Sequence, residues 1–311
     1  MDRWTVDGGD AGARLDKFLA SAGRLGSRGR AADALARGKI YLNDREATMK
    51  DAGVALAAGD VVRAWMDRPG SAKRRPTLGD ERDLPIVHED SAIIVLNKPA
   101  GLLAVPLERR EDARSVYEDL KDYLARRRKP RPFVVHRIDR DTSGLVLFAK
   151  TARAQQYLKD QFRRHSATRV YMAIVYGCPV PASGTWQDQL VWDQRALIQK
   201  ATHPRDPRGK EAISHYRVVE RFDAASLIEV TLETGRRNQI RLQARLRGHT
   251  LVGELRYTYG PDVLRPIAFP RQALHAFRLG FRHPADGRAL SFEAPLPADM
   301  EALIGRLRHE D

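Results

Sequence analysis

Residues 136–144 read His-Arg-Ile-Asp-Arg-Asp-Thr-Ser-Gly, a charged loop held between two apolar runs, Phe133-Val134-Val135 and Leu145-Val146-Leu147-Phe148. Arg137 and Arg140 flank Asp139 and favour its ionised form, which suits the carboxylate to act as a nucleophile or a base. The same residue types also suit an ordinary turn, with Asp139 and Asp141 bonded to the local backbone. Tyr171 lies in the alternating stretch from Arg169 to Gly177. Facing a pocket, it would offer a flat aromatic face and one hydroxyl for proton work; facing inward, it would be core. The single cysteine, Cys178, sits between Gly177 and Pro179 with no cofactor motif nearby, and reads as an incidental thiol rather than a nucleophile. One cysteine excludes an internal disulfide and a cysteine-clustered zinc site.

These residues need rigid elements to hold them. The two apolar runs around Asp139 read as buried strands, and a charged, Gly-containing loop between such strands is where catalytic groups tend to sit. Helices are predicted over 116–127 and 154–163, and Ile93-Ile94-Val95-Leu96 reads as a strand leaving through Asn97-Lys98-Pro99-Ala100-Gly101. Strands and helices do not alternate strictly, which argues for an α+β fold over a doubly wound one. Nearer the start, Leu15, Phe18, Leu19 and Ala22 recur at helical spacing and a second helix is predicted over 28–36. A strand at 39–42, a turn at Asn43-Asp44 and a strand at 59–62 follow. Residues 69–82 read as a linker, its Pro/Gly/Ser/Lys-rich character set by Arg68-Pro69-Gly70-Ser71-Ala72-Lys73-Arg74-Arg75-Pro76.

Composition narrows the partners. The 311 residues carry 54 Lys and Arg against 40 Asp and Glu, a net charge of +14, which gives a positive field suited to polyanions. Arginine, the commoner cation here, also makes bidentate phosphate contacts and stacks on bases. Nucleic acid is therefore the leading partner. There is no apolar run of eighteen residues and no signal-type start, which points to the cytoplasm and away from a membrane.

The stretch His136-Arg-Ile-Asp-Arg-Asp-Thr-Ser-Gly-Leu-Val-Leu-Phe-Ala-Lys150 resembles the central motif of the RluA-type pseudouridine synthases. Three further segments resemble the same family: Asn97-Lys98-Pro99-Ala100-Gly101, the strand Arg169 to Gly177, and Thr234-Gly-Arg-Arg-Asn-Gln-Ile-Arg241. Gly248-His249-Thr250-Leu251-Val252-Gly253 matches a turn of the family, with Glu254 where aspartate is common. The resemblance implies a pseudouridine synthase fold, a large mixed and mainly antiparallel sheet with flanking helices and loops, over residues 83–311. It makes Asp139 the catalytic aspartate, Arg241 its partner and Tyr171 the residue that stacks on the base, with Arg137 at the substrate. It implies isomerisation of uridine to pseudouridine with no cofactor and no metal. Asn238 and Gln243 stand where many members carry histidine, which puts side contacts in doubt but leaves the acid–arginine pair intact. Packing and no chemistry is expected of His275 and His283, and a structural hydrogen bond of His249.

Residues 1–68, with a core at 14–66, resemble the small α/β-hairpin RNA-binding module named after ribosomal protein S-four. The matching residues are Arg14-Leu-Asp-Lys-Phe-Leu19, Ser27-Arg28-Gly29-Arg30, Gly38 to Asn43 and Gly59-Asp60. Residues 14–45 hold eight basic side chains, among them Arg14, Lys17, Arg28, Arg30 and Lys39, against three acids. They suit a face that tracks phosphates by shape rather than sequence. The basic cluster Arg126-Arg127-Arg128, ending a helix just before the Asp139 loop, is expected to touch the RNA backbone. Members with this module mostly act on large-subunit ribosomal RNA, which favours rRNA over tRNA. A monomer with no obligate protein partner is expected. The rival readings are a tRNA pseudouridine synthase, a non-catalytic RNA-binding or ribosome-assembly protein on the same fold, and a methyltransferase using Cys178.

Overall fold

The computed structural model describes residues 2–36, 39–43, 45–64, 84–106, 114–258 and 266–309. The chain divides into two compact units, Met1–Thr77 and Leu78–Asp311. The 69–82 linker lies outside the described residues, as do Arg37, Gly38 and Asp44 of the first unit.

The first unit holds β1 (Asp2–Thr5), α1 (Leu15–Leu19), α2 (Arg28–Ala36), β2 (Ile40–Leu42), β3 (Arg45–Ala47) and β4 (Val61–Ala64). Its strands form one antiparallel sheet in the order β1-β4-β2-β3. Leu15, Phe18 and Leu19 pack with Ala31, Leu35, Ile40 and Val62 into a separate core. The helical spacing stops sooner than predicted: α1 ends at Leu19, and Ala22 is exposed. The closing strand starts later, at Val61, because Gly59 (φ +92°) takes up the turn before it.

The described residues of the second unit form an α+β fold built on eleven strands. Its elements are β5 (Ile86–Glu89), β6 (Ile93–Lys98), α3 (Val116–Arg126), β7 (Phe133–Val134), β8 (Ser143–Ala149), α4 (Ala152–Arg163), β9 (Thr168–Tyr176), β10 (Ser183–Asp193), β11 (Ile198–Thr202), β12 (Lys210–Arg221), β13 (Ala225–Leu232), α5 (Gln239–Leu246), β14 (Leu274–Arg282), β15 (Ala289–Glu293) and α6 (Ala298–His309). The strands run β11-β10-β12-β13-β9-β14-β8-β6-β5, with β7 added to β8 and β15 to β14. Among the described strands every pairing is antiparallel except a short parallel contact of β14 with β8, His275 opposite Ser143 and Ala276 opposite Gly144.

Strand β8 is buried along its whole length because helices cover both faces. Val146 and Phe148 join Leu120 and Leu124 of α3, while Leu145, Leu147 and Ala149 join Ala154 and Leu158 of α4. Each large apolar side chain so buried contributes about 1.5–3 kcal/mol. The helices begin where their caps are: Ser115 Oγ accepts from Glu118 N at 3.3 Å, and Thr151 Oγ1 from Ala154 N at 3.1 Å. The charged loop is shorter than the sequence suggested, since Ser143 and Gly144 already belong to β8. Gly144 has φ +110°, and a Cβ there would lie 2.3 Å from the Ala276 carbonyl oxygen. Only glycine lets β8 and β14 approach this closely. Among the described residues no helix is long and apolar enough to cross a membrane.

Candidate active site

Asp139 stands in the loop between β7 and β8, and that loop is fastened from below by two buried cations. Lys98, the last residue of β6, is fully buried, and its Nζ donates to the carbonyls of Pro99 (2.7 Å), Leu102 (2.8 Å) and Arg140 (2.8 Å). Burial pushes its ammonium down to about 7, against the pull of the nearby Asp141 carboxylate. Arg271 Nη1 donates to the carbonyls of Asp141 (3.1 Å), Gln272 and Leu274, while its other edge pairs with Asp299 of α6 at 2.7 and 2.9 Å. The start of the loop is held by His136, whose Nε2 accepts from Leu147 N at 3.1 Å and whose ring stacks on Phe162 at 4.8 Å. Burial drives this imidazole down to about 3, so it is neutral and acts as an acceptor. His275 Nδ1 meets Ser143 Oγ at 2.9 Å and Nε2 meets the Ala294 carbonyl at 3.1 Å; the carbonyl can only accept, so Nε2 carries the proton.

The loop presents Asp139 to α5. One carboxylate oxygen, Oδ2, accepts from Asn238 Nδ2 at 2.6 Å and from Arg241 Nη1 at 3.0 Å. The other, Oδ1, has no donor among the described residues, and the side chain keeps 27% exposure toward a cleft. Arg241 is in turn held flat by Glu254, through Nε–Oε2 at 2.6 Å and Nη2–Oε1 at 2.7 Å. Burial works against the Arg241 charge, but Glu254 and Asp139 more than offset it and raise its pKa. Burial also opposes the Glu254 charge, and Arg241 more than offsets it, so the carboxyl lies below its ordinary range. This is the fork-on-fork pairing for which a planar guanidinium is suited.

Asn238 owes its role to its backbone. It sits at the start of α5 with φ +52°, a left-handed conformation that asparagine tolerates, and makes no cap with its side chain. Its Oδ1 accepts from Tyr257 Oη at 3.1 Å, which leaves Nδ2 facing Asp139. Tyr257 Oη is itself fixed by accepting from Gln199 N at 2.9 Å.

The cleft above these groups measures about 200 Å³ and is lined by Asp139, Tyr171, Arg137, Asn238, Arg241 and Leu274, among others. A cavity of about 150 Å³ already holds a benzene ring, so one six-membered base fits here. Tyr171 projects from β9 into the wall; burial, with the negative Asp139 nearby, pushes its hydroxyl up to about 12. At neutral pH it is a donor. A carboxyl group with one free oxygen, a protonated phenol and a fixed guanidinium in one small cleft can do nucleophilic or proton-transfer chemistry on a planar ring.

The fold brings Asp139, Tyr171, Arg241 and Arg137 together. Arg140 departs from expectation: it pairs with Asp141 at 2.9 and 3.0 Å and turns away from Asp139. Arg126, Arg127 and Arg128 are all exposed, and Arg127 also lies over the Tyr123 ring at 4.0 Å and reaches Glu89 at 3.6 Å. In the first unit Arg28, Arg30 and Lys17 are exposed, Lys39 is half-buried, and Arg14 is engaged by Asp16 at 3.0 and 3.1 Å. Three contributors were missed. Asn238 and Glu254 were noticed in the sequence only as departures from a pattern, and Arg271 carried no local signal. Gln243, also a departure, is buried and bonds to Ser214 Oγ, Asp188 and the carbonyls of Trp186 and Ala212, away from Asp139. His249 Nδ1 meets the Tyr176 carbonyl at 3.0 Å.

Residues 92–246 match the family model described as RNA pseudouridylate synthase. The chain is 36% identical over 307 residues to the ribosomal large subunit pseudouridine synthase D of Neisseria meningitidis serogroup A, covering 96% of this chain and 80% of that protein. It is 37% identical over 298 residues to the uncharacterized RNA pseudouridine synthase YlyB of Bacillus subtilis, covering 95% of this chain and 94% of that protein. Human RNA pseudouridylate synthase domain containing 4 shares the fold, with a TM-score of 0.59 and 20% identity over 72% of this chain and 92% of the human one.

Proposed function

The chain belongs to the RNA pseudouridylate synthase family, an isomerase family acting on RNA, and from this we propose that it converts uridine to pseudouridine in large-subunit ribosomal RNA with Asp139 as its catalytic group. The observation that carries the assignment is the Asp139 carboxylate, anchored through Oδ2 by Arg241 and Asn238 while Oδ1 faces a base-sized cleft beside Tyr171. The target uridine leaves its stack and enters the cleft, at a cost of roughly a few kcal/mol. Oδ1 of Asp139 then attacks the nucleotide or takes a proton from its sugar. The bond from N1 of uracil to the sugar breaks, the ring turns against Tyr171, and C5 joins the sugar carbon as Asp139 is released from the nucleotide or returns the sugar proton; the proton on C5 is lost to solvent and N1 takes one up. The enclosing walls keep the detached uracil from escaping. Arg241 and Glu254 act by position, keeping Oδ2 occupied and Oδ1 aimed at the substrate.

The names of several relatives specify the ribosomal large subunit, which supports rRNA over tRNA as the substrate. Residues 14–66 serve as a second RNA contact in this reading, through the exposed Arg28, Arg30 and Lys17, and Arg126 and Arg128 add a backbone contact. The test is tritium release from RNA labelled at C5 of uracil, with ribosomal RNA and tRNA as parallel substrates and no cofactor added. Wild type should release tritium from rRNA, and Asp139→Ala should lose at least about three orders of magnitude. Release undiminished in Asp139→Ala would remove the aspartate from the chemistry, and release from tRNA alone would overturn the rRNA assignment.

A further inference from the structure

Beside the Asp139 cleft runs a second, larger hollow of about 920 Å³, walled by β10, β11 and the segment 235–237. Gly235, Arg236 and Arg237 line both hollows, so the two adjoin. Six cations line it, Arg195, Lys200, Arg208, Lys210, Arg236 and Arg237, against a single acid, Asp193. Lys200 is engaged by Asp193 at 2.6 Å and Arg208 by Asp206 at 2.9 Å. Arg195, Lys210 and Arg237 have no acidic partner among the described residues.

The floor of this hollow holds a tryptophan that the fold does not use. Trp186, Leu190 and Trp192 lie on one face of β10 at the two-residue spacing of a strand. Trp186 is buried against Tyr216 with ring centroids 4.9 Å apart, and Leu190 packs with Leu242 and Tyr257. Trp192 continues the face beyond the core: it is half-buried, belongs to none of the apolar clusters, and its ring carries the Arg237 guanidinium 3.9 Å above its centroid. A flat aromatic face under a movable cation, in a basic groove, is the arrangement that stacks nucleobases irrespective of sequence.

We propose that this groove is a subsite for a nucleotide flanking the target uridine, whose base stacks on Trp192 while Lys210, Arg195 and the displaced or sandwiching Arg237 meet its phosphates. The inference rests on the reading of the chain as an RNA isomerase, because the groove adjoins that cleft. The groove is also tied to the reacting carboxylate. Gln199, opposite Trp192 in the hairpin, donates to Tyr257 Oη, which donates to Asn238, which donates to Asp139. Holding the flanking nucleotide therefore sets the target base in register with Asp139.

The test compares the full chain with Trp192→Ala, Trp192→Phe and Lys210→Ala in binding an end-labelled ten-nucleotide oligouridylate and a base-free inorganic polyphosphate. Trp192→Ala should weaken oligouridylate binding about 5- to 150-fold and leave polyphosphate binding unchanged, with Trp192→Phe recovering most of the loss. Lys210→Ala should weaken both and lower the salt slope by about one. Wild-type affinity in Trp192→Ala, or equal losses for both ligands, would overturn the subsite. A chain with Trp192-dependent binding that releases no tritium from any RNA overturns the isomerase reading and leaves the groove standing. Tritium release by wild type, with no effect of Trp192 on binding, overturns the groove alone.

Discussion

Replacing Glu254 by glutamine keeps the side-chain shape and removes one charge from the chain of contacts that ends at Asp139. Glu254 has no exposed side-chain surface, and Arg241 has 10%. Breaking a buried ion pair from one side costs about 3–5 kcal/mol, because the remaining charge stays buried without its partner. Here Asp139 remains 3.0 Å from Arg241, and the amide oxygen still accepts one hydrogen bond, so the loss belongs at the lower end, about 3 kcal/mol. In the unit Leu78–Asp311, at about 2–4 °C per kcal/mol for a domain of this size, that is a drop in Tm of roughly 6–12 °C at pH 7. The pH dependence checks the cause. Glu254 has a folded-state pKa below its ordinary 4.5, so its contribution is present above that value and lost as the pH falls through the lowered folded-state pKa. The gap between wild type and Glu254→Gln, measured by urea unfolding from pH 7 downward, should therefore narrow below about pH 4.5. Activity should fall about 10²-fold, because a released Arg241 can close on both oxygens of Asp139. A Tm within about 2 °C of wild type at pH 7, or a gap that persists undiminished into acid, would refute this reasoning.

Two further substitutions probe the fastening of the Asp139 loop. Lys98→Met should show a pH trend of the same sign in a higher window: Lys98 falls from 10.5 to about 7 on folding, so between those values the unfolded chain binds the extra proton and wild-type stability rises with pH. The deficit of the variant in urea unfolding should thus grow from pH 7 to pH 10, by up to about 5 kcal/mol, and a constant deficit would show that the buried amine does not titrate there. Gly144→Ala places a Cβ 2.3 Å from the Ala276 carbonyl at φ +110°, so backbone strain and overpacking together should cost about 2–6 kcal/mol. Thermal melting checks it, and an unchanged Tm would mean that β8 and β14 separate freely.

The local parts of the architecture were legible because they are written locally. Runs such as Leu145 to Phe148 announce a strand buried on both faces, and helix α2 appears at the predicted Arg28–Ala36. Asp139, Tyr171 and Arg241 could be picked out because each lies in a stretch whose residue types recur as a motif. What the sequence hid are pairings across long separations. Arg140 adjoins Asp139, yet its guanidinium chooses Asp141, because Asp139 is turned toward α5, about a hundred residues further on. Arg271 reaches back 130 residues to the Asp141 carbonyl, and no spacing or periodicity marks such a contact. Asn238 looked like a departure that weakened the site; its left-handed backbone and the Tyr257 hydroxyl make it a direct donor to Asp139.

The tie from Arg271 to Asp299 also sets a calendar for the nascent chain. A protein is made from its first residue to its last, and domains organise as their parts emerge. Asp139 is synthesised well before β14, which joins the sheet only after residue 274, and the carboxylate that steadies Arg271 arrives with α6, at residue 299. The loop that carries Asp139 therefore takes its final set only after residue 299 has been made. An enzyme that rewrites RNA would in this way stay unarmed while it is still being made.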